Sequence, residues 1–113
     1  MHEMGLTDAV LKMVDGILEK NGCRGASRIT LEIGDLSGVV PRFVRDCWEA
    51  VADGTKYEAT ELVLETVPGT ARCLDCGREF TVNLDDLVCP DCLGRKLKPL
   101  TGTDMTVKEI EAY

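Results

Sequence analysis

Apolar residues recur at helical spacing from 6 to 21, LTDAVLKMVDGILEKN, where Leu6, Val10, Met13, Val14, Ile17 and Leu18 share one face. Thr7 and Asp8 suit the start of this predicted helix and Gly22 its end, with Gly16 a weak interior position. The period then changes to two. In RITLEI, residues 28–33, Ile29, Leu31 and Ile33 alternate with polar residues, which predicts a half-buried strand closed by Gly34-Asp35. Pro41 suits the first turn of a second helix. On that helix Phe43, Val44, Cys47, Trp48 and Val51 share a face, and Gly54 ends it. ELVLETV, residues 61–67, predicts a second strand stopped by Pro68-Gly69. Residues 103–111 predict a last strand in which Met105 and Val107 are in phase and Ile110 is not.

Between the last two strands the pattern disappears. Residues 70–100 carry four cysteines and a single aromatic residue, Phe80, too little apolar material for a core of their own. The cysteines are spaced as Cys73-Leu74-Asp75-Cys76, twelve residues, then Cys89-Pro90-Asp91-Cys92. Each CxxC turn supplies one edge of a ligand tetrahedron, which suits zinc held by four thiolates in a closed, structural site. Gly77 follows the first pair where a tight turn wants glycine, whereas Leu93 follows the second. Two disulfides or a redox CxxC would each leave the duplicated spacing unexplained, and an iron–sulfur cluster is the other metal group that four thiolates suit. Cys23 and Cys47 stand apart. Cys47 falls on the apolar face of the second helix, and neither has a histidine partner that would make it a nucleophile.

Composition narrows the function. The chain has 113 residues, a length that suits one domain with a small metal-stapled insert. Acidic residues outnumber basic ones 20 to 13, for a net charge of −7, which argues against nucleic acid as a partner. Around the cysteines Arg72, Arg78, Arg95, Lys96 and Lys98 are balanced by Asp75, Glu79, Asp85, Asp86 and Asp91 before any thiolate is counted. No stretch approaches the roughly 20 apolar residues that cross a bilayer, and no basic segment followed by an apolar run opens the chain, so a cytoplasmic protein without membrane contact is expected. No phosphate loop, Ser/His or Cys/His arrangement or open metal site suggests an enzyme.

The one histidine is His2. A histidine in a terminal segment ordinarily signals nothing, but this one has specific chemistry available. The Met1 amine, the His2 amide nitrogen and the His2 imidazole form a short chelating run, closed by fused five- and six-membered rings. Nickel(II) and copper(II) favour such square-planar nitrogen donors. Glu3 adds a backbone nitrogen or a carboxylate nearby, and the bulk of His2 disfavours removal of Met1.

With Met1-His2-Glu3 at its start, Gly34-Asp35-Leu36-Ser37-Gly38-Val39-Val40-Pro41 in its middle and Ala71-Arg72-Cys73 opening the CxxC-x12-CxxC array around Phe80, the chain resembles the hydrogenase nickel-incorporation proteins, the HypA/HybF family. The likeness spans essentially the whole chain. It implies nickel on His2 with Glu3 assisting, zinc on Cys73, Cys76, Cys89 and Cys92, and delivery of nickel to the large subunit of a nickel-iron hydrogenase together with a partner GTPase; some relatives also serve urease. The expected fold is α+β: a small mixed sheet packed by two helices, with an inserted zinc ribbon. Residues 1–67 and 102–113 would form the nickel-binding α/β unit and residues 68–101 the zinc-ribbon unit, in a monomer or, through an exposed edge strand, a homodimer. The competing expectation is a zinc-ribbon interaction module that delivers no nickel.

Overall fold

The computed structural model describes residues 2–113; Met1 lies outside the described residues. The elements run α1 (His2–Lys20), β1 (Ala26–Gly34), α2 (Pro41–Ala52), β2 (Glu61–Val67), β3 (Thr70–Cys73), β4 (Glu79–Thr81), β5 (Leu97–Thr101) and β6 (Met105–Ala112). They form two three-stranded sheets, ordered β2-β1-β6 and β4-β3-β5. The first is mixed: β1 runs parallel to β2 and antiparallel to β6.

Both helices pack on the first sheet. From α1, Val14 and Leu18 are buried. They meet Ile29, Leu31 and Ile33 of β1 and Val44 and Trp48 of α2 in one apolar cluster. The expected alternation of β1 is therefore its core face. Phe43 is a correction to the expected α2 face: it stays exposed, with the Arg42 guanidinium 5.1 Å over its ring, because the core lies under Val44, Cys47 and Trp48 instead. Tyr57, in the loop after α2, is buried edge-on to Trp48, and its hydroxyl donates to Asp15 Oδ1 at 2.6 Å, tying that loop to α1. The Tyr57 pKa is raised by burial and by the Asp15 carboxylate that accepts its proton.

The start of α1 is a second correction. The helix begins at His2, not at Thr7-Asp8. Thr7 is fully buried inside the helix and its hydroxyl donates to the Glu3 carbonyl at 2.6 Å, while Glu3 itself is buried. Packing of Glu3 and Thr7 adds a turn that local residue preference does not demand, because tertiary contact outweighs propensities of a few tenths of a kcal/mol. The far end follows expectation: Cys23 N–H donates to the Leu18 carbonyl and Gly22 N–H to that of Glu19, with Gly22 at φ 65°, the paired bonds that close a helix on a left-handed residue.

The phase slip at Ile110 also has a structural cause. Thr30 pairs with Glu109 but Leu31 with Val107, so Lys108 is the extra residue of a β-bulge. One added residue restores Ile110 to the face of Met105 and Val107, and all three pack against the core.

The two sheets join where three backbone segments cross. A Cβ on Gly34 would stand inside the Gly102 carbonyl, one on Gly69 would meet the Leu36 side chain, and one on Gly102 would lie 2.7 Å from the Pro68 carbonyl oxygen. Hydrogen bonds stitch the crossing: Leu36 N–H donates to Gly102 O at 2.8 Å, Gly34 N–H to Asp104 O at 2.9 Å and Asp35 N–H to Val67 O at 2.9 Å. Forcing a methyl group against fixed backbone costs on the scale of overpacking, about 1–3 kcal/mol. Gly34→Ala should therefore lower the unfolding free energy, measured by urea titration, by that amount. Gly16→Ala, whose methyl group meets nothing within 4 Å, should raise it by about 0.5–1 kcal/mol through helix propensity. A Gly34→Ala protein as stable as the parent would show that the crossing yields.

Candidate metal centres

The second sheet places two tight turns opposite one another. Cys73 ends β3, and Gly77 N–H donates back to the Cys73 carbonyl at 2.8 Å, with Gly77 at φ 82°. The second turn repeats this bond, Leu93 N–H to Cys89 O at 2.9 Å. Leu93 takes the left-handed conformation of Gly77, at φ 60°, and is the one non-glycine with positive φ among the described residues. The departure from glycine noted in the sequence thus leaves the shape of the turn intact at the expense of backbone strain.

The turns bring the four sulfurs of Cys73, Cys76, Cys89 and Cys92 within 4.8 Å of one another. Cys73 and Cys92 sulfurs are 3.5 Å apart and those of Cys76 and Cys89 3.6 Å. A tetrahedron with zinc–sulfur bonds of about 2.3 Å has edges of about 3.8 Å, whereas a disulfide needs about 2.05 Å. The spacing therefore fits a closed four-thiolate zinc site and not a pair of disulfides. Cys73 and Cys89 are fully buried; Cys76 and Cys92 form the outer edge.

The charges fit as well. The backbone N–H groups of Cys92 and Asp91 favour the Cys89 thiolate and hold its pKa down against burial. Gly94 N–H does the same for Cys92, but the sulfur of Cys73, burial and the other two sulfurs outweigh it and push that thiol up. Four thiolates so close cannot all ionise without a cation between them, and a dication supplies that charge. Outside the sulfurs, Arg78 pairs with Asp91 across the two turns, and Arg72 pairs with Glu79 at 2.9 Å across β3 and β4.

The N-terminal candidate is built differently. His2 opens α1 with its side chain 60% exposed, whereas the side chain of Glu3 is 7% exposed. The backbone N–H groups of Glu3 itself and of Val40 hold the Glu3 carboxyl below its ordinary range, with the neighbouring imidazole assisting against burial. The Glu3 side chain is thus packed away from solvent at the start of α1 while that of His2 is not. Glu3 Oε2 lies 3.9 Å from His2 Nε2, too far for a hydrogen bond. The expected Met1 amine lies outside the described residues. Among those described, no group besides the cysteine cluster brings three metal-ligating side chains together, so His2 and Glu3 do not make a side-chain site alone.

The chain matches the family model "Hydrogenase/urease nickel incorporation, metallochaperone, hypA" over residues 1–112. It belongs to that family. Among its relatives, the hydrogenase maturation factor HypA of Geobacter metallireducens is 43% identical over 112 residues, covering 98% of each chain. That of Streptomyces avermitilis is 38% identical over 112 residues, covering 97% of this chain and 86% of the relative. The fold matches the solution structure of the nickel metallochaperone HypA from Helicobacter pylori, with a TM-score of 0.72 and 21% identity over 99% of this chain and 97% of that one.

Beside these family features lies a pocket of about 370 Å³ that sequence reasoning missed. It is lined by His2 and Leu6 of α1, Ser37 and Val39, and Thr103–Thr106. Nothing in the sequence pattern joins residues 2, 37 and 104; only the chain crossing brings them together.

Replacing Cys73 or Cys89 by Ser should lower zinc content and speed hydrogen exchange in residues 70–100 while α1, α2 and the first sheet keep their protection. Full zinc occupancy in both variants would refute the four-thiolate site. Leu93→Asn should release about 0.5–1 kcal/mol of strain, since Asn tolerates the left-handed region. It would appear as slower loss of zinc to a competing chelator. Faster loss would mean that the leucine side chain supports the turn.

Proposed function

We propose that this chain is a nickel metallochaperone of hydrogenase maturation, working by ligand exchange and not by catalysis. Nickel(II) is cargo, held by the Met1 amine and by the amide nitrogen and imidazole of His2, with Glu3 fixing the geometry. Zinc is resident, on Cys73, Cys76, Cys89 and Cys92. The recipient is the large subunit of a nickel-iron hydrogenase, reached together with a partner GTPase in the cytoplasm. Residues 1–67 and 102–113 form the cargo-carrying unit and residues 68–101 the zinc-ribbon unit.

The observation that carries this reading is the contrast between neighbours on α1. His2, the only histidine, stands out in solvent, while Glu3 is buried and anchored. The helix start is thereby rigid, and the chelating ring it presents is open to a receiving protein. The first N–H groups of a helix have no partner within it, so binding through the His2 backbone nitrogen breaks no helical bond. Four thiolates with two buried make the zinc site closed; a few exposed nitrogen donors make the nickel site one that a recipient can strip. No helix among the described residues is long and apolar enough to cross a membrane.

An equilibrium nickel titration of untagged protein tests the proposal. His2→Ala should lose more affinity than the roughly 10–100-fold that removal of an outer-shell partner costs. An uncleaved N-terminal extension should weaken binding, a C-terminal extension should not, and zinc content should stay constant throughout. Normal nickel binding by His2→Ala would overturn the reading and leave the zinc-ribbon interaction module in its place.

A further inference from the structure

The first sheet ends at β6. In the order β2-β1-β6 one edge of this strand pairs with β1, and no strand among the described residues pairs with the other. A groove of about 530 Å³ runs along that open edge, lined by residues 105–110 of β6 and by Val10, Met13 and Ile17 of α1. The three helix residues are spaced three and four apart, so they form one stripe. Val10 is buried, but Met13 and Ile17 remain 47% and 40% exposed. The groove thus has the lining of a place for one more strand, with unpaired backbone along its side and apolar side chains above it.

Edge strands are commonly guarded against further pairing by a charge on the core face or by a bulge. In β6 the charges lie on the face away from the helices: Lys108 Nζ bonds Glu65 Oε1 at 2.8 Å there, and Arg28 pairs with Glu111 at 3.0 Å. The helix-covered face keeps Met105, Val107 and Ile110. The bulge at Lys108, for its part, changes which strand β6 can accept. Paired antiparallel with its own copy along its whole length, Met105–Ala112, β6 has its two-fold axis between Lys108 and Glu109. In a regular strand that axis would set every core-face residue against an outer one, because side chains alternate. The extra residue shifts the phase by one. Val107 then faces Ile110 of the second copy on the core side. Thr106 faces Glu111, and Lys108 faces Glu109, on the outer side. Glu109 forms no ion pair with any described residue within its own chain.

We infer that this edge is an interface between two copies of the chain, joined β6 to β6 in one continuous sheet of order β2-β1-β6-β6-β1-β2. The occupant of the groove is a second copy and not an unrelated strand, because the edge complements itself. Apolar residue meets apolar residue, and at the axis the Lys108 ammonium meets the Glu109 carboxylate, twice by symmetry. Covering Met13 and Ile17 supplies apolar area, and the charge pairs fix the register. The interface needs neither nickel nor a recipient protein. It also keeps the two N-termini apart. Met105 and Thr106 line the pocket that contains His2, and antiparallel pairing puts the Met105 ends of the two strands at opposite ends of the seam. Each proposed nickel site stays open.

The test is analytical ultracentrifugation of the zinc-loaded full chain and of charge variants at the seam. The parent should sediment as a dimer in reversible equilibrium with monomer. Lys108→Glu and Glu109→Lys each set like charges against one another at the axis. Each should raise the dimer dissociation constant about tenfold or more, with zinc content and unfolding free energy near those of the parent, because exposed pairs contribute little to the fold. Mixed in equal amounts, the two variants should form a heterodimer, since both carboxylates at positions 108 and 109 of one chain then meet ammonium groups of the other. Lys108→Glu combined with Glu109→Lys in one chain should restore the homodimer. A parent that stays monomeric at every concentration overturns the inference, as does a dimer that both single variants leave intact. Failure of the mixed variants to associate refutes it equally.

Discussion

The crossing of three backbones at Gly34, Gly69 and Gly102 is the constraint on which the arrangement of the molecule depends. At that point the loop after β1, the link between β2 and β3 and the return from β5 to β6 approach too closely for side chains. The hydrogen bonds of Gly34, Asp35 and Leu36 N–H then fix all three segments to one another. The second sheet, which cannot build a core from its own residues, is attached to the first here by backbone and not by a broad apolar interface. The same crossing positions Ser37, Val39 and Asp104 around the start of α1. The close approach explains the value of glycine at position 34, where the pattern otherwise shows only the end of a strand.

The cysteine cluster and the proposed nickel site follow opposite physical rules. In the cysteine cluster, backbone N–H groups and short turns gather four sulfurs whose mutual repulsion only a cation relieves, and two of them are sealed from solvent. Retention is the outcome. At the N-terminus the protein instead buries Glu3, residue 3 of the chain, and so holds His2 outside, against water. The rigidity comes from an anchored neighbour, and the exposure leaves room for a competing ligand. A chaperone must select its cargo and then give it up, and the contrast between a buried anchor and an exposed donor meets both demands.

The acidic excess is distributed in keeping with this. Much of the charge on the outer face of the first sheet is paired, with Arg28 between Glu61 and Glu111 and Lys108 on Glu65 at 2.8 Å. Such exposed pairs contribute little stability, about 0–1 kcal/mol each, so the fold rests on the aliphatic core and the chain crossing. What the net charge supplies is solubility and an environment that favours cations near the surface.

Residue order alone determined the period of each long element, the apolar face of β1, the glycine closure of α1, the proline start of α2 and the spacing of the four cysteines. These are local properties: side-chain periodicity, turn stereochemistry and the reach of a CxxC turn depend on residues a few positions apart. The slip at Ile110 was visible too, but not its meaning, since a bulge is defined by the register of β6 on β1. Tertiary structure decided what depends on contact between distant segments. It moved the start of α1 from Thr7-Asp8 to His2, because burial of Glu3 and Thr7 outweighs weak local preference. It left Phe43 outside and put Leu93 into a left-handed turn, because the second CxxC must match the first whatever residue follows it. It also set Asp104 beside His2 across about a hundred residues of sequence, a proximity that arises because three backbones share one crossing and that no local pattern encodes.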